Sequence, residues 1–179
     1  VLWAFIMLAR APKLQDAVAR EAASRDLSPA GAADTVGDLP LTRAVVDESL
    51  RLFPPAFLIV REAKGEDEVA GEKVSAGDIV SIAPWVIQRH EAYWDHPNLF
   101  DPSRFLPGAK APAKYAYMPF GAGPRVCIGA QFALTEATLA IARTLREVKL
   151  RVVDDVEVEP VAVVTTYPNP IPMFEVQRR

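Results

Sequence analysis

The most chemically loaded stretch of this chain surrounds its one cysteine: Phe120-Gly121-Ala122-Gly123-Pro124-Arg125-Val126-Cys127-Ile128-Gly129. Gly121 and Gly123 admit backbone angles closed to other residues, and Pro124 stiffens the loop that carries them. A long helical pattern follows, so Cys127 falls just before a helix N-terminus. There, backbone N–H groups and the helix dipole favour a thiolate over a thiol. Gly129 leaves room for something flat to come close. Arg125 sets a cation two residues before the sulfur, and Phe120 adds an aromatic wall.

A soft thiolate beside a cation and an apolar wall suits haem iron and its propionates. Two other readings stay open on spacing alone. A lone cysteine is often a small buried hydrophobe, and a nucleophilic cysteine could draw on His90 or His96 as its base, although no local Cys-His signature surrounds Cys127.

A second constellation lies upstream. In Leu41-Thr42-Arg43-Ala44-Val45-Val46-Asp47-Glu48-Ser49-Leu50-Arg51-Leu52-Phe53, the apolar stripe of Leu41, Ala44, Val45 and Leu52 contains Glu48, with Arg51 at i+3. The bland reading is a surface ion pair at the edge of the stripe. The sharper one is a buried pair. Its spare hydrogen-bonding capacity then demands a third group, another arginine or a backbone segment from elsewhere in the chain.

These residues need elements to hold them. Val1–Arg10 is apolar nearly all round and reads as a core helix. Pro12 opens a second, with Leu14, Ala17, Val18 and Ala22 at helical spacing. Ser28 to Gly31 reads as a loop. Pro40 opens a third helix that Pro54-Pro55 must end. Between Phe57 and Trp85 the spacing turns β-like, and a small antiparallel sheet is expected, closing at Ile79–Ile82. Residues 86–126 are rich in proline and aromatics and are expected to be ordered by packing rather than by regular pairing. A long helix is predicted from about Ile128 to Val148. The tail carries strand-like pieces, Val161–Val164 and Phe174–Val176, separated by Pro168 and Pro170.

Composition sets the outer bounds. With 179 residues, 50% hydrophobic and 24% charged, the chain can bury one domain's core. A net charge of −3 gives no electrostatic footprint for nucleic acid or an anionic membrane. One cysteine makes no internal disulfide, and Cys127, His90 and His96 show no zinc-binding spacing. The apolar start is too short to span a bilayer, so no membrane anchor is read here.

Taken together, the motifs resemble those of the cytochrome P450 family. FGAGPRVCIGAQFA is similar to its haem-binding signature, with Phe120, Gly121, Gly123, Arg125, Cys127, Ile128 and Gly129 at the cofactor. ESLRLFPP resembles its Glu-x-x-Arg helix through Glu48 and Arg51. FDPSRF resembles a downstream arginine motif, making Arg104 the third member of a Glu-Arg-Arg cluster. The resemblance implies a mainly α fold with small antiparallel sheets, forming the C-terminal haem-binding part of one such domain.

It further implies haem b held by the Cys127 thiolate, with Arg61 and Arg125 on the propionates. Ala56, Phe57, Leu58, Val164 and Thr165 would face substrate. The implied activity is insertion of one oxygen atom from O2 into a hydrophobic molecule in the cytoplasm. Electrons would come from NAD(P)H through a ferredoxin or flavoprotein reductase docked near Arg125, Lys110 and Lys114. A chain beginning after the family's distal acid-and-threonine pair is expected to hold the proximal half of the site and not to turn over by itself. The same resemblance leaves room for a haem-thiolate peroxygenase, isomerase or dehydratase, and the residues leave room for a non-catalytic haem or redox module.

Overall fold

Three prolines set three helix boundaries, each through the residue before it, whose backbone is pushed out of the helical region. In the computed structural model, which describes residues 1–153 and 156–179, α1 (Leu2–Arg10) stops at Ala11, with φ −124° and ψ 72°, and α2 (Pro12–Ala23) starts at the proline. A short α3 (Ala32–Thr35) and one 3-10 turn over Val36–Asp38 lead to Leu39 (φ −115°, ψ 52°), after which α4 runs Pro40–Leu52. Phe53 (φ −130°, ψ 63°) ends α4 ahead of Pro54.

Pro40 lacks an N–H, and the next two backbone amides of α4 are taken by a neighbouring helix. Glu21 of α2 accepts from Leu41 N at 2.7 Å and Thr42 N at 2.8 Å, and from the Thr42 hydroxyl at 2.6 Å. A carboxylate at a helix N-terminus meets both unpaired donors and the positive end of the dipole.

Among the described residues the β-structure is four separate two-stranded antiparallel sheets. β1 (Ile59–Glu62) pairs with β4 (Ile79–Ile82), and β2 (Asp67–Val69) pairs with β3 (Glu72–Val74). The small sheet expected over 57–85 is thus two separate two-stranded sheets, with the β2–β3 hairpin lying between β1 and β4 in sequence. After a short α5 (Pro84–Ile87), the chain to residue 129 carries only 3-10 turns at Pro102–Phe105 and Gly123–Arg125.

The long helix, α6, spans Ala130–Glu147 rather than 128–148. It ends where Val148-Lys149-Leu150-Arg151-Val152 becomes β5, an alternation that favours a strand, paired with β8 (Phe174–Arg178). β6 (Glu159–Ala162) pairs with β7 (Thr166–Asn169). Pro168 therefore lies inside a strand rather than between strands. The two-stranded sheet tolerates it, because Pro168 faces Pro160 and neither has an N–H to leave unpaired.

α2 and α4 pack on α6, and α1 packs on β5. Ala4, Leu8, Val18, Val45, Leu134, Ile141, Leu145 and Leu150 form the common core. One buried polar residue stitches it. Gln15 donates to Leu8 O at 3.0 Å and Leu150 O at 2.9 Å and accepts from Leu150 N at 2.7 Å, tying α1 to the β5 residue 135 positions beyond Gln15 in sequence. Among the described residues no helix is long and apolar enough to cross a membrane.

Candidate functional site

The cysteine loop is closed by its own backbone. Gly121 N donates to Met118 O (3.0 Å), Val126 N to Gly123 O (3.1 Å) and Cys127 N to Phe120 O (3.0 Å). Gly121 and Gly123 take φ values of +76° and +73°, so a side chain at either would be strained. Ala130 N donates to Cys127 O at 3.3 Å and Ala133 N to Gly129 O at 2.9 Å. The cysteine thus stands at the mouth of α6, three residues before the helix begins.

Its thiol is exposed. Sγ lines a cavity of about 360 Å³ with Pro55, Ala56, Ile59, Arg61, Pro119, Phe120, Gly121 and Arg125. The β1–β4 register explains the contribution of β1: Ile59 and Arg61, two apart on the strand, share the face turned to the cavity. Arg61 Nη1 donates to Val60 O at 2.8 Å. Among the described residues, no carboxylate pairs with Arg61 or Arg125.

Of the residues marked in the sequence, the cavity gathers Cys127, Arg125, Arg61, Phe120, Gly121 and Ala56. Gly129 stands close behind the sulfur; a Cβ on it would meet Sγ at 3.9 Å. Ile128 is fully exposed, with Val126 and Phe132 also exposed on either side of it in sequence. Gly123, Phe57 and Leu58 are outside the cavity lining. Val164 and Thr165 are exposed in the segment joining β6 to β7.

Thr166, Tyr167 and Pro168 line a second, largely apolar cavity of about 390 Å³ between α1, α4 and α6. Pro55 and Phe120 line both cavities, so the two adjoin. The strand alternation that buries Thr166 and Pro168 was invisible in the sequence because Pro168 read as a strand end.

Behind the loop lies the acid–base cluster, and here the sharper reading describes the geometry. Glu48 and Arg51 are both fully buried. Arg51 Nε donates to Glu48 Oε2 at 2.6 Å and Nη2 to Oε1 at 2.8 Å. Its remaining donors reach carbonyls of the irregular segment: Nη1 to Gln88 O (2.8 Å) and Pro97 O (2.7 Å), and Nη2 to Leu99 O (3.1 Å). All five guanidinium N–H groups are used. Asp101 N donates to Glu48 Oε1 at 2.8 Å. Arg104 brings Nε to 3.5 Å from the same oxygen, close enough for ionic attraction but without a hydrogen bond.

Two residues that type and spacing did not reveal connect this cluster to the cysteine loop. Gln88, fully buried, donates to Leu50 O (3.1 Å) and Arg51 O (2.9 Å) and accepts from Met118 N (2.9 Å). Tyr117 donates its hydroxyl proton to Asp47 Oδ1 at 2.9 Å. Burial first, and then the Asp47 charge, raise the Tyr117 pKa well above that of an ordinary tyrosine. Residues 117 and 118 are therefore fastened to α4 immediately before Phe120 begins the loop.

An exposed soft sulfur, two guanidiniums with no carboxylate partner among the described residues, and the exposed apolar side chains of Val126, Ile128 and Phe132 fit haem. They could supply a sulfur ligand to the iron, cations for the propionates and apolar contacts for a flat macrocycle. Among the described residues no cluster of His, Cys, Asp and Glu is arranged to hold a bare metal ion.

Comparison with known proteins agrees. The family profile of cytochrome P450 matches residues 1–172. Pentalenene oxygenase of Streptomyces avermitilis is 36% identical over 166 residues, covering 92% of this chain and 37% of its own. Cyclooctatin synthase of Streptomyces melanosporofaciens is 37% identical over 162 residues, 88% of this chain and 35% of its own. Thromboxane-A synthase of Sus scrofa is 37% identical over 121 residues, 67% and 23% respectively. The chain thus spans about a quarter to a little over a third of these relatives.

Proposed function

The chain belongs to the cytochrome P450 family, and on that premise we propose that it supplies the iron-ligating wall of a haem-thiolate monooxygenase. The observation that carries this reading is the convergence of the Cys127 thiol with Arg61 and Arg125 on one cavity. Cys127 would ligate the haem iron, and Arg61 and Arg125 would hold the propionates of haem b. Bound there, the haem supplies the activation of O2 that inserts one oxygen atom into a hydrophobic substrate.

The protein's own residues orient and exclude. The loop amides that close on Met118, Phe120 and Gly123 fix where the sulfur stands. Arg61 and Arg125 would attract the anionic propionates. The adjoining apolar cavity, walled by Trp3, Leu50, Phe53 and Ala137, keeps water away and favours an apolar substrate. Ala56, which lines the cysteine cavity, and Phe57 and Leu58 beside it belong to the same substrate-facing stretch in this reading.

Electrons would arrive from NAD(P)H through a ferredoxin or flavoprotein reductase. The surface bearing Arg125 with Lys110 and Lys114 of the 108–118 loop is the docking face in this reading, and a cytoplasmic site of action goes with it.

The test is the absorption spectrum of the dithionite-reduced, CO-bound protein beside that of Cys127→Ser. A strongly red-shifted Soret band, lost in the variant, supports thiolate ligation. An ordinary haem spectrum in both proteins refutes it. Product formation that requires no reductant would point instead to a peroxygenase or isomerase on the same site.

A further inference from the structure

Arg89, just past α5, makes no ion pair with any described residue. Its guanidinium carbon lies 3.6 Å from the Trp85 ring centroid and 5.5 Å from that of Phe53, so aromatic rings cover its faces. Nη1 is buried with no hydrogen-bond partner among the described residues. Its nearby carboxylate, Glu48, is already committed to both Arg51 nitrogens, Asp101 N and Arg104. One carboxylate therefore answers three guanidiniums. Burial and the Arg51 charge lower the Arg89 pKa to about 10, which still leaves it cationic at neutral pH.

Arg89 lines a cleft of about 400 Å³ with Trp85, Val86, His90 and Glu91, none of which lines the cysteine cavity. A guanidinium stacked on rings keeps its edge donors for an in-plane, two-oxygen acceptor. Glu91 on the cleft wall disfavours a dianion such as phosphate. We propose that this cleft binds a carboxylate against the edge of Arg89, either a small carboxylate from solution or an acidic side chain presented by another polypeptide segment.

The experiment is thermal unfolding of the intact, haem-loaded protein in sodium formate and in sodium chloride of equal ionic strength, for the wild type, Arg89→Gln and Arg89→Lys. If a free carboxylate binds, formate at about tenfold its Kd raises the wild-type Tm by about 3 °C over chloride. Arg89→Gln abolishes that difference. Arg89→Lys, which keeps the charge but not the planar edge, reduces it, so the reading stays testable if the glutamine variant does not fold. If an acidic side chain holds the site, formate has no effect. Raising sodium chloride then lowers the Tm of the wild type more than that of Arg89→Gln. Identical responses of the wild type and both variants to formate and to chloride overturn the proposal.

Discussion

Replacing Gln88 by leucine removes a nearly isosteric buried amide and nothing else of comparable size. Three backbone groups lose their partner: Leu50 O, Arg51 O and Met118 N. The residue is fully buried, so water is not at hand to replace the bonds. At about 1–3 kcal/mol for each unsatisfied buried group, with some relaxation, the loss comes to about 3–6 kcal/mol. That is a large part of the total stability of a domain, about 5–15 kcal/mol.

Urea unfolding of the haem-loaded protein, followed by tryptophan fluorescence, measures it. At a slope of about 2 kcal/mol per molar, the midpoint should fall by about 2 M. Gln88→Glu sharpens the test. A carboxylate can still accept from Met118 N but turns oxygen lone pairs toward two carbonyls. That variant should be weak at neutral pH and recover as the solution is acidified, when the protonated acid donates again. A cost below about 1 kcal/mol for Gln88→Leu, with no pH trend in Gln88→Glu, would refute the claim that this amide fastens the cysteine loop to α4.

Tyr117 gives a pH-dependent counterpart. Its folded pKa is raised by burial and by Asp47, so its contribution is fully present below about pH 10, its unfolded pKa, and is lost as pH rises toward the folded value. Tyr117→Phe should cost about 1 kcal/mol at neutral pH for the Asp47 hydrogen bond and flatten the alkaline limb of the stability curve; an unchanged limb would count against it. Arg61→Gln and Arg125→Gln should each speed haem loss to apomyoglobin, with the double variant faster than either, whereas unchanged loss rates would remove these residues from the propionate role. If a reductase docks at Lys110 and Lys114 as proposed, charge reversal there should slow its electron transfer and weaken the dependence on salt. An unchanged stopped-flow rate would exclude that face.

The helix boundaries were legible because proline acts locally: Pro12, Pro40 and Pro54 impose their effect on the preceding residue whatever surrounds them. The cysteine loop was legible for the same reason, since Gly121 and Gly123 state their backbone requirement in their identity. Gln88 and Gln15 were not. Nothing in their neighbours distinguishes a glutamine that completes three buried backbone bonds from one on the surface, because the partners lie 30 and 135 residues away in sequence. The burial of Glu48 was likewise undecidable from its stripe alone. The structure resolves it through Asp101 N and the carbonyls at Gln88, Pro97 and Leu99, groups that carry no side-chain signal at all. The burial of Thr166 and Pro168 on either side of exposed Tyr167 turns on strand alternation, which one residue of register reverses.

The Glu48–Arg51 pair is better understood as a device for register than as a source of stability. Desolvating two charges costs several kcal/mol per ion, and their attraction recovers that only when every remaining donor and acceptor is met. Arg51 meets the condition by spending three donors on carbonyls of residues 88, 97 and 99, a stretch with almost no regular backbone pairing. A lysine, with three donors on a point charge, could not hold Glu48 and all three carbonyls at fixed angles. The pair therefore converts one turn of α4 into a template for an irregular loop. Gln88, whose carbonyl Arg51 holds and whose side chain holds Met118, carries the template on to the residues that precede Phe120 and Cys127. What reaches the sulfur is a position set by the helix, through groups that each have a single satisfied arrangement.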